Sequence, residues 1–141
     1  MHEAPGQVIG GKVVAGIVWD REGKRILIAR RRPGDEHGGA WEFPGGRVKE
    51  GESEEEALVR ELEEELGIRV EVIAPLTTVR HEYPGAPIAL HAFICRHRNG
   101  EPQPIECAAW RWVPLDGLAA ERLSPPDREI VRLIEPLEGD L

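Results

Sequence analysis

Apolar residues follow two rhythms along this chain. Over 12–19 and 24–29 they form short β-rich runs, and Asp20-Arg21-Glu22-Gly23 between them carries the Asp and Gly of a hairpin turn, so two paired strands are expected. Residues 30–40 are basic and then glycine-rich, and Trp41-Glu42-Phe43-Pro44 leads into Gly45-Gly46, which predicts an ordered loop rather than a helix. At Ser53 the rhythm becomes helical. Ser53 and Glu56 form a capping-box pair, Leu58, Leu62 and Leu66 fall in one stripe, and Gly67 supplies the stop, which bounds a helix of about four turns. Further strands are expected at 70–80, 88–96 and 109–113, and a second helix runs from Pro125 or Pro126 to Ile134. Strands around two separated helices predict an α/β fold. No internal repeat interrupts it, and one domain is expected over 12–135, with loose tails at 1–11 and 136–141.

Composition narrows the functional classes. A chain of 141 residues with 40% apolar content can bury a core without disulfides or a structural metal. Its formal net charge of −8 disfavours nucleic-acid polymers and anionic membranes, so a phosphate substrate would need bridging cations. Cys95 and Cys107 lack zinc-ligand spacing and read as ordinary thiols of a reducing compartment, the cytoplasm by default. No apolar run approaches the ~20 residues of a membrane span, and MHEAPGQVIGG lacks a signal-peptide core.

The acidic residues concentrate in 46–68, GRVKEGESEEEALVRELEEELGI. Taken alone, a Glu-rich helix is most simply a solvated face. Spacing alters that reading. At about 100° per residue Glu61, Glu64 and Glu65 share an arc of ~100°, apart from the leucine stripe, so one helix offers both a core face and a carboxylate cluster. Such a cluster repels itself unless a divalent cation sits among its oxygens, and hard oxygen ligands favour Mg²⁺, with Mn²⁺ as the substitute. Magnesium takes one or two carboxylates plus substrate phosphates, which suits hydrolysis of a diphosphate. Gly45 and Gly46, without side chains, let the backbone come close to a metal or a phosphate.

The same stretch fills every specified position of the pattern GX5EX7REUXEEXGU, with U aliphatic, through Gly46, Glu52, Arg60, Glu61, Leu62, Glu64, Glu65, Gly67 and Ile68. It resembles the signature of the Nudix hydrolases, which cleave nucleoside diphosphates linked to another moiety. The resemblance implies the Nudix fold, a mixed β-sheet sandwiched between helices (α/β/α). It also implies a metal held by Glu61, Glu64 and Glu65, with Glu52 as ligand or hydrogen-bonding support and the Gly45 carbonyl reaching the ion. Arg60 would orient the glutamates by ion pairing. Glu106, six residues before Trp112 in ECAAWRW, is similar to the late Glu-x5-Trp element that MutT-type members place beside the metal. Glu61 and Glu106 are both candidates for the base that takes the proton of water.

WEFPGG, IARRRP, HEYP and SPPDREIV extend the resemblance to MutT-type members over roughly 13–134. It implies conversion of a nucleoside triphosphate to monophosphate and pyrophosphate by water attack at the β-phosphorus, first of all for 8-oxo-dGTP in sanitation of the nucleotide pool, a DNA-repair function. A sibling group that prefers CTP, dCTP or 5-methyl-dCTP is the alternative; ADP-ribose and dinucleoside polyphosphates fit the downstream elements less well. Phe43 and Tyr83 would flank the base, Arg31 would touch the nucleotide near sugar or phosphate, the Gly46 backbone would approach phosphate, and Asp127 would bind the base edge. Asp127 after two prolines is equally a helix N-terminal residue favoured by the dipole. The expected partner is a small-molecule nucleoside triphosphate, with no nucleic-acid polymer and no membrane, acted on by a monomer or homodimer. A non-catalytic ligand sensor on the same fold is the reading from another class, and the intact box glutamates weigh against it. His81, His91 and His97 show no metal-ligand pattern, Trp41, Trp110 and Trp112 read as core or pocket wall, and Arg30, Arg31 and Arg32 read equally as a solvated edge.

Overall fold

Strands β1 (Lys12–Trp19) and β2 (Arg25–Arg30) are apolar along most of their length because both of their faces are covered. Val14 and Val18 of β1 and Leu27 and Ala29 of β2 pack on one side; Ile17, Trp19, Ile26 and Ile28 pack on the other. The computed structural model describes residues 12–20, 22–33, 39–83 and 86–134, so the expected tails lie outside the described residues. After β1 and β2 come β3 (Trp41–Glu42), β4 (Gly45–Arg47), α1 (Glu54–Leu66), β5 (Arg69–Tyr83), β6 (Ala86–Asn99), β7 (Ala109–Pro114), a 3-10 helix (Leu115–Ala120) and α2 (Pro125–Ile134). Along the sheet the order is β3-β2-β1-β6-β5, with β4 joined to β1 and β7 to β2. β1 and β6 are parallel and the other pairs antiparallel.

Helix α1 buries Ala57, Leu58, Leu62 and Leu66 against the first apolar layer, and α2 buries Ile130, Val131 and Ile134 against the second, which gives the expected α/β/α arrangement. Fully burying one such aliphatic side chain contributes about 1.5–3 kcal/mol. The ends of α1 follow the local signals. Ser53 Oγ accepts the Glu56 N–H at 3.0 Å, Glu56 Oε1 accepts the Ser53 N–H at 2.9 Å, and Gly67 adopts φ +70°, where its N–H donates to Glu63 O.

Residues 41–47 depart from the expected loop by forming β3 and β4. β1 and β2 meet at Trp19 and Ile26 and then part, while β6 occupies the whole far edge of β1 and β7 the whole far edge of β2. The exposed near edges need hydrogen-bond partners. β4 supplies them to Val13, Val14 and Ala15, β3 to Ala29 and Arg30, and Pro44 O accepts the Gly16 N–H at 2.8 Å between the two. The β5–β6 hairpin is also longer than the expected 70–80 and 88–96. Its ladder continues through polar residues such as His81, opposite Ile88, and Arg69, opposite Asn99, where backbone pairing persists without an apolar rhythm. The 3-10 helix was not foreseen; Leu115 and Leu118, three apart, bury together there.

Candidate active site

Where β1 and β2 part, the structure has a cleft of about 320 Å³ whose wall takes residues from both apolar layers. One end is lined by Gly45, Gly46, Glu65 and Glu106, the other by Arg31, Glu42, Phe43 and Asp127.

At the α1 end, Arg60 gathers three of the box glutamates. Its Nε and Nη2 reach Glu52 Oε2 and Oε1 at 2.5 and 3.0 Å, Nη1 reaches Glu61 Oε2 and Glu64 Oε1 at 3.1 Å each, and Nη2 also donates to Arg47 O at 3.0 Å. The Arg60 fork and the Lys49 N–H hold the Glu52 carboxyl down to about 2. Glu61 goes the other way, because burial outweighs its bond to Arg60. Its carboxylate lies against Gly46, where an added Cβ would come 2.3 Å from the carboxyl carbon, so glycine leaves the room that Glu61 fills. A Cβ on Gly45 would meet Val14 O at 1.9 Å, a close approach of two backbones that no other residue permits.

Glu65 stands apart from that network. Burial first, then the charges of Glu42, Glu61 and Glu106, push its carboxyl up to about 8 against the pull of a hydrogen bond from Gly45 N–H. Its Oε1 is buried without a hydrogen-bond partner among the described residues. The Glu65 carbonyl, left free at the end of α1, accepts the N–H groups of Ile105 and Glu106 at 3.2 and 3.1 Å and so brings Glu106 beside it. Arg32 Nη2 donates to Ile105 O at 2.9 Å from the opposite side. The buried Cys107 thiol follows on the cleft wall, raised by burial and by the Glu65 charge.

At the far end Asp127 is only 3% exposed, and its Oδ2 accepts the Ser124 hydroxyl at 2.8 Å and the Phe43 N–H at 3.3 Å. Burial, followed by the charge of Glu42, raises its carboxyl to about 7 although Ser124, Phe43 and Arg31 oppose the shift. Arg31 Nη1 pairs with Glu42 Oε1 at 3.1 Å, and its buried Nε has no partner among the described residues. Phe43 is buried in the α2 layer and contributes to the cleft wall. Tyr83 closes the ladder opposite Ala86, and its side chain lies outside the described residues.

The cleft therefore unites Gly45, Gly46, Glu65 and Glu106 with Arg31, Phe43 and Asp127, while Glu52, Glu61 and Glu64 are gathered on Arg60 beside it. Among the described residues no three His, Cys, Asp or Glu groups stand together closely enough to hold an ion. The donor chemistry still fits a hard divalent cation, because Glu65 presents a buried, unsatisfied oxygen surrounded by further carboxylates. Three contributors escaped the sequence reading. Glu42 raises both Glu65 and Asp127, Ser124 donates to Asp127, and Arg32, taken for a solvated edge, holds the segment bearing Glu106. Glu42 had a signal in its place directly before Phe43-Pro44-Gly45-Gly46, and Ser124 one in its place before Pro125-Pro126-Asp127, whereas Arg32 had none.

A glycine-bordered carboxylate cleft opened between two strands of an α/β/α sheet defines the class: the chain belongs to the NUDIX domain family, matched over residues 11–134, and is a Nudix hydrolase, a group that needs a divalent metal. Among its relatives, the 8-oxo-dGTP diphosphatase of Proteus vulgaris is 42% identical over 89 residues, 63% of this chain and 79% of that one. The CTP pyrophosphohydrolase of Escherichia coli (strain K12) is 40% identical over 116 residues, 82% of this chain and 84% of that one. The solution structure of the E. coli ORF135 protein superposes with a TM-score of 0.79 at 32% identity, covering 98% of this chain and 97% of its own. Among the described residues no helix is long and apolar enough to cross a membrane.

Proposed function

We propose that the protein is a Mg²⁺-dependent, MutT-type pyrophosphohydrolase that converts 8-oxo-dGTP to the monophosphate and pyrophosphate in the cytoplasm. The observation that carries this reading is the joining, in one cleft, of Glu65 with its unsatisfied buried oxygen to Asp127, whose buried carboxyl is raised to about 7. Glu61, Glu64, Glu65 and Glu106 with the Gly45 carbonyl would hold Mg²⁺, or Mn²⁺ in its place, and Arg60 with Glu52 would keep Glu61 and Glu64 in position. The cation supplies neutralisation of the phosphate charge.

Water attacks the β-phosphorus, the bond from that phosphorus to the α,β-bridging oxygen breaks, and the monophosphate leaves. Glu61 or Glu106 takes the proton. The Gly46 backbone admits phosphate, Arg31 meets the sugar or phosphate, and Phe43 and Tyr83 flank the base. Asp127, its carboxyl raised to about 7, offers the base edge a donor when protonated and an acceptor when ionised. The substrate is a free nucleotide rather than a nucleic-acid polymer or a membrane component, and the acting species is a monomer or homodimer.

The 40%-identical CTP pyrophosphohydrolase supports a second reading, in which CTP, dCTP or 5-methyl-dCTP is preferred. Comparing kcat/KM for 8-oxo-dGTP, dGTP, dCTP, 5-methyl-dCTP and ADP-ribose, with products identified, decides between them. A large preference for 8-oxo-dGTP, with pyrophosphate released, is expected. A cytosine preference selects the second reading, and absence of turnover with all five selects the ligand sensor.

A further inference from the structure

Glu106 lies in 100–108, a segment without helix or strand, so point contacts must set the direction of its side chain. The peptide unit leading into it is planar and carries the Ile105 C=O and the Glu106 N–H on opposite edges. Both edges are held. The N–H donates to Glu65 O at 3.1 Å, and the C=O accepts from Arg32 Nη2 at 2.9 Å. Just beyond, the Ala108 N–H donates to Arg30 O at 2.9 Å, so the far end of the segment is also tied to the chain that carries Arg32.

We propose that Arg32 is a positioning residue for Glu106: by holding the Ile105 carbonyl it stops the peptide plane from turning about its remaining tie to Glu65, and so aims the Glu106 carboxylate into the metal end of the cleft. The inference rests on the role proposed for Glu106. A hydrogen bond from a guanidinium is charge-assisted and stronger than one from a neutral donor, which suits a latch that must hold a partly exposed loop. Arg31 pairs with Glu42 at the other end, so the two neighbouring arginines serve opposite ends of the cleft.

The test is a kinetic cycle of Arg32→Ala, Glu106→Gln and the double variant in the full chain, with 8-oxo-dGTP or whichever nucleotide the panel selects. Arg32→Ala is expected to lower kcat about tenfold, a factor worth about 1.4 kcal/mol, and to raise the Mg²⁺ concentration for half-activity, with nucleotide KM little changed. Arg32→Lys should recover part of the loss. The double variant should be no slower than Glu106→Gln, because a residue that acts through Glu106 has nothing left to position. Losses that multiply, or an Arg32→Ala enzyme with full activity, would overturn the proposal. If Glu106→Gln alone keeps full turnover, the role of Glu106 is what fails; faster amide hydrogen exchange at Glu106 in Arg32→Ala still registers the latch, and unchanged exchange removes it.

Discussion

At the α1 end of the cleft, Glu52, Arg60, Glu61, Glu64 and Glu65 all come from residues 52–65, whereas at the other end Phe43 meets Asp127 across 84 positions of chain. The first group is arranged by helix periodicity and one guanidinium, the second by the parting of β1 and β2. The electrostatics differ as well. Glu52, paired with Arg60, is held down to about 2, while Glu65, buried among other carboxylates, is pushed up to about 8. Local structure can supply a cluster of charges; only the tertiary fold decides which of them stay paired and which are left to bind something else.

Removing the unpaired member should have the largest effect. Glu65→Gln is expected to cost on the order of 10³-fold in kcat at saturating Mg²⁺, a loss of several kcal/mol of charge stabilisation, with circular dichroism unchanged. Retained turnover would mean that the buried oxygen serves only the fold. Arg60→Ala frees Glu52, Glu61 and Glu64 together and should lower activity or metal affinity about 10–100-fold, as loss of a ligand-orienting partner does, read from Mg²⁺ titrations of rate. If only thermal stability moved, the network would be structural.

The far end should respond in a different parameter. Asp127→Ala is expected to raise KM or change the base preference by about tenfold, the weight of a lost hydrogen-bonding partner, while the Mg²⁺ requirement stays put. An effect confined to melting temperature would reduce Asp127 to a helix-terminal residue.

A smaller effect lies in the pH dependence of stability. Burial raises the Asp127 carboxyl from its ordinary 3.8 to about 7, so between those values the folded chain binds a proton that the unfolded chain has released. That contribution is complete at acid pH and is lost as pH climbs through about 7. Asp127→Asn keeps a carbonyl acceptor for Ser124 and Phe43 but has no such loss, so its melting temperature should gain on the native chain between about pH 4 and about pH 7 and hold that gain above. A constant difference would show that Asp127 is ionised in the fold throughout.

Helix α1 was legible because Ser53, Glu56, the leucine stripe and Gly67 act within a few residues of one another, and the capping box and left-handed Gly67 formed as their types imply. The second helix, begun by Pro125 and Pro126 in its first turn, was legible on the same grounds. β3 and β4 were not. Gly45-Gly46-Arg47 has no apolar rhythm and becomes a strand because β1 leaves an edge unpaired. The cleft residues divide likewise. Gly45, Gly46, Glu65, Glu106, Phe43 and Asp127 stood out through a recognisable motif or neighbourhood, and Ser124 sits only three residues before the Asp127 it serves, but Glu42 and Arg32 matter through partners far along the chain, which spacing cannot reveal.

Because β1 and β2 separate after Trp19 and Ile26, the cleft draws its two ends from opposite faces of the sheet, each backed by its own helix and apolar layer. On the proposed function, substitutions beneath α2 are expected to reshape which base is accepted without disturbing the carboxylates of α1. Such a scaffold is modular with respect to selection: its diet can drift while its bond-breaking apparatus stays as it is.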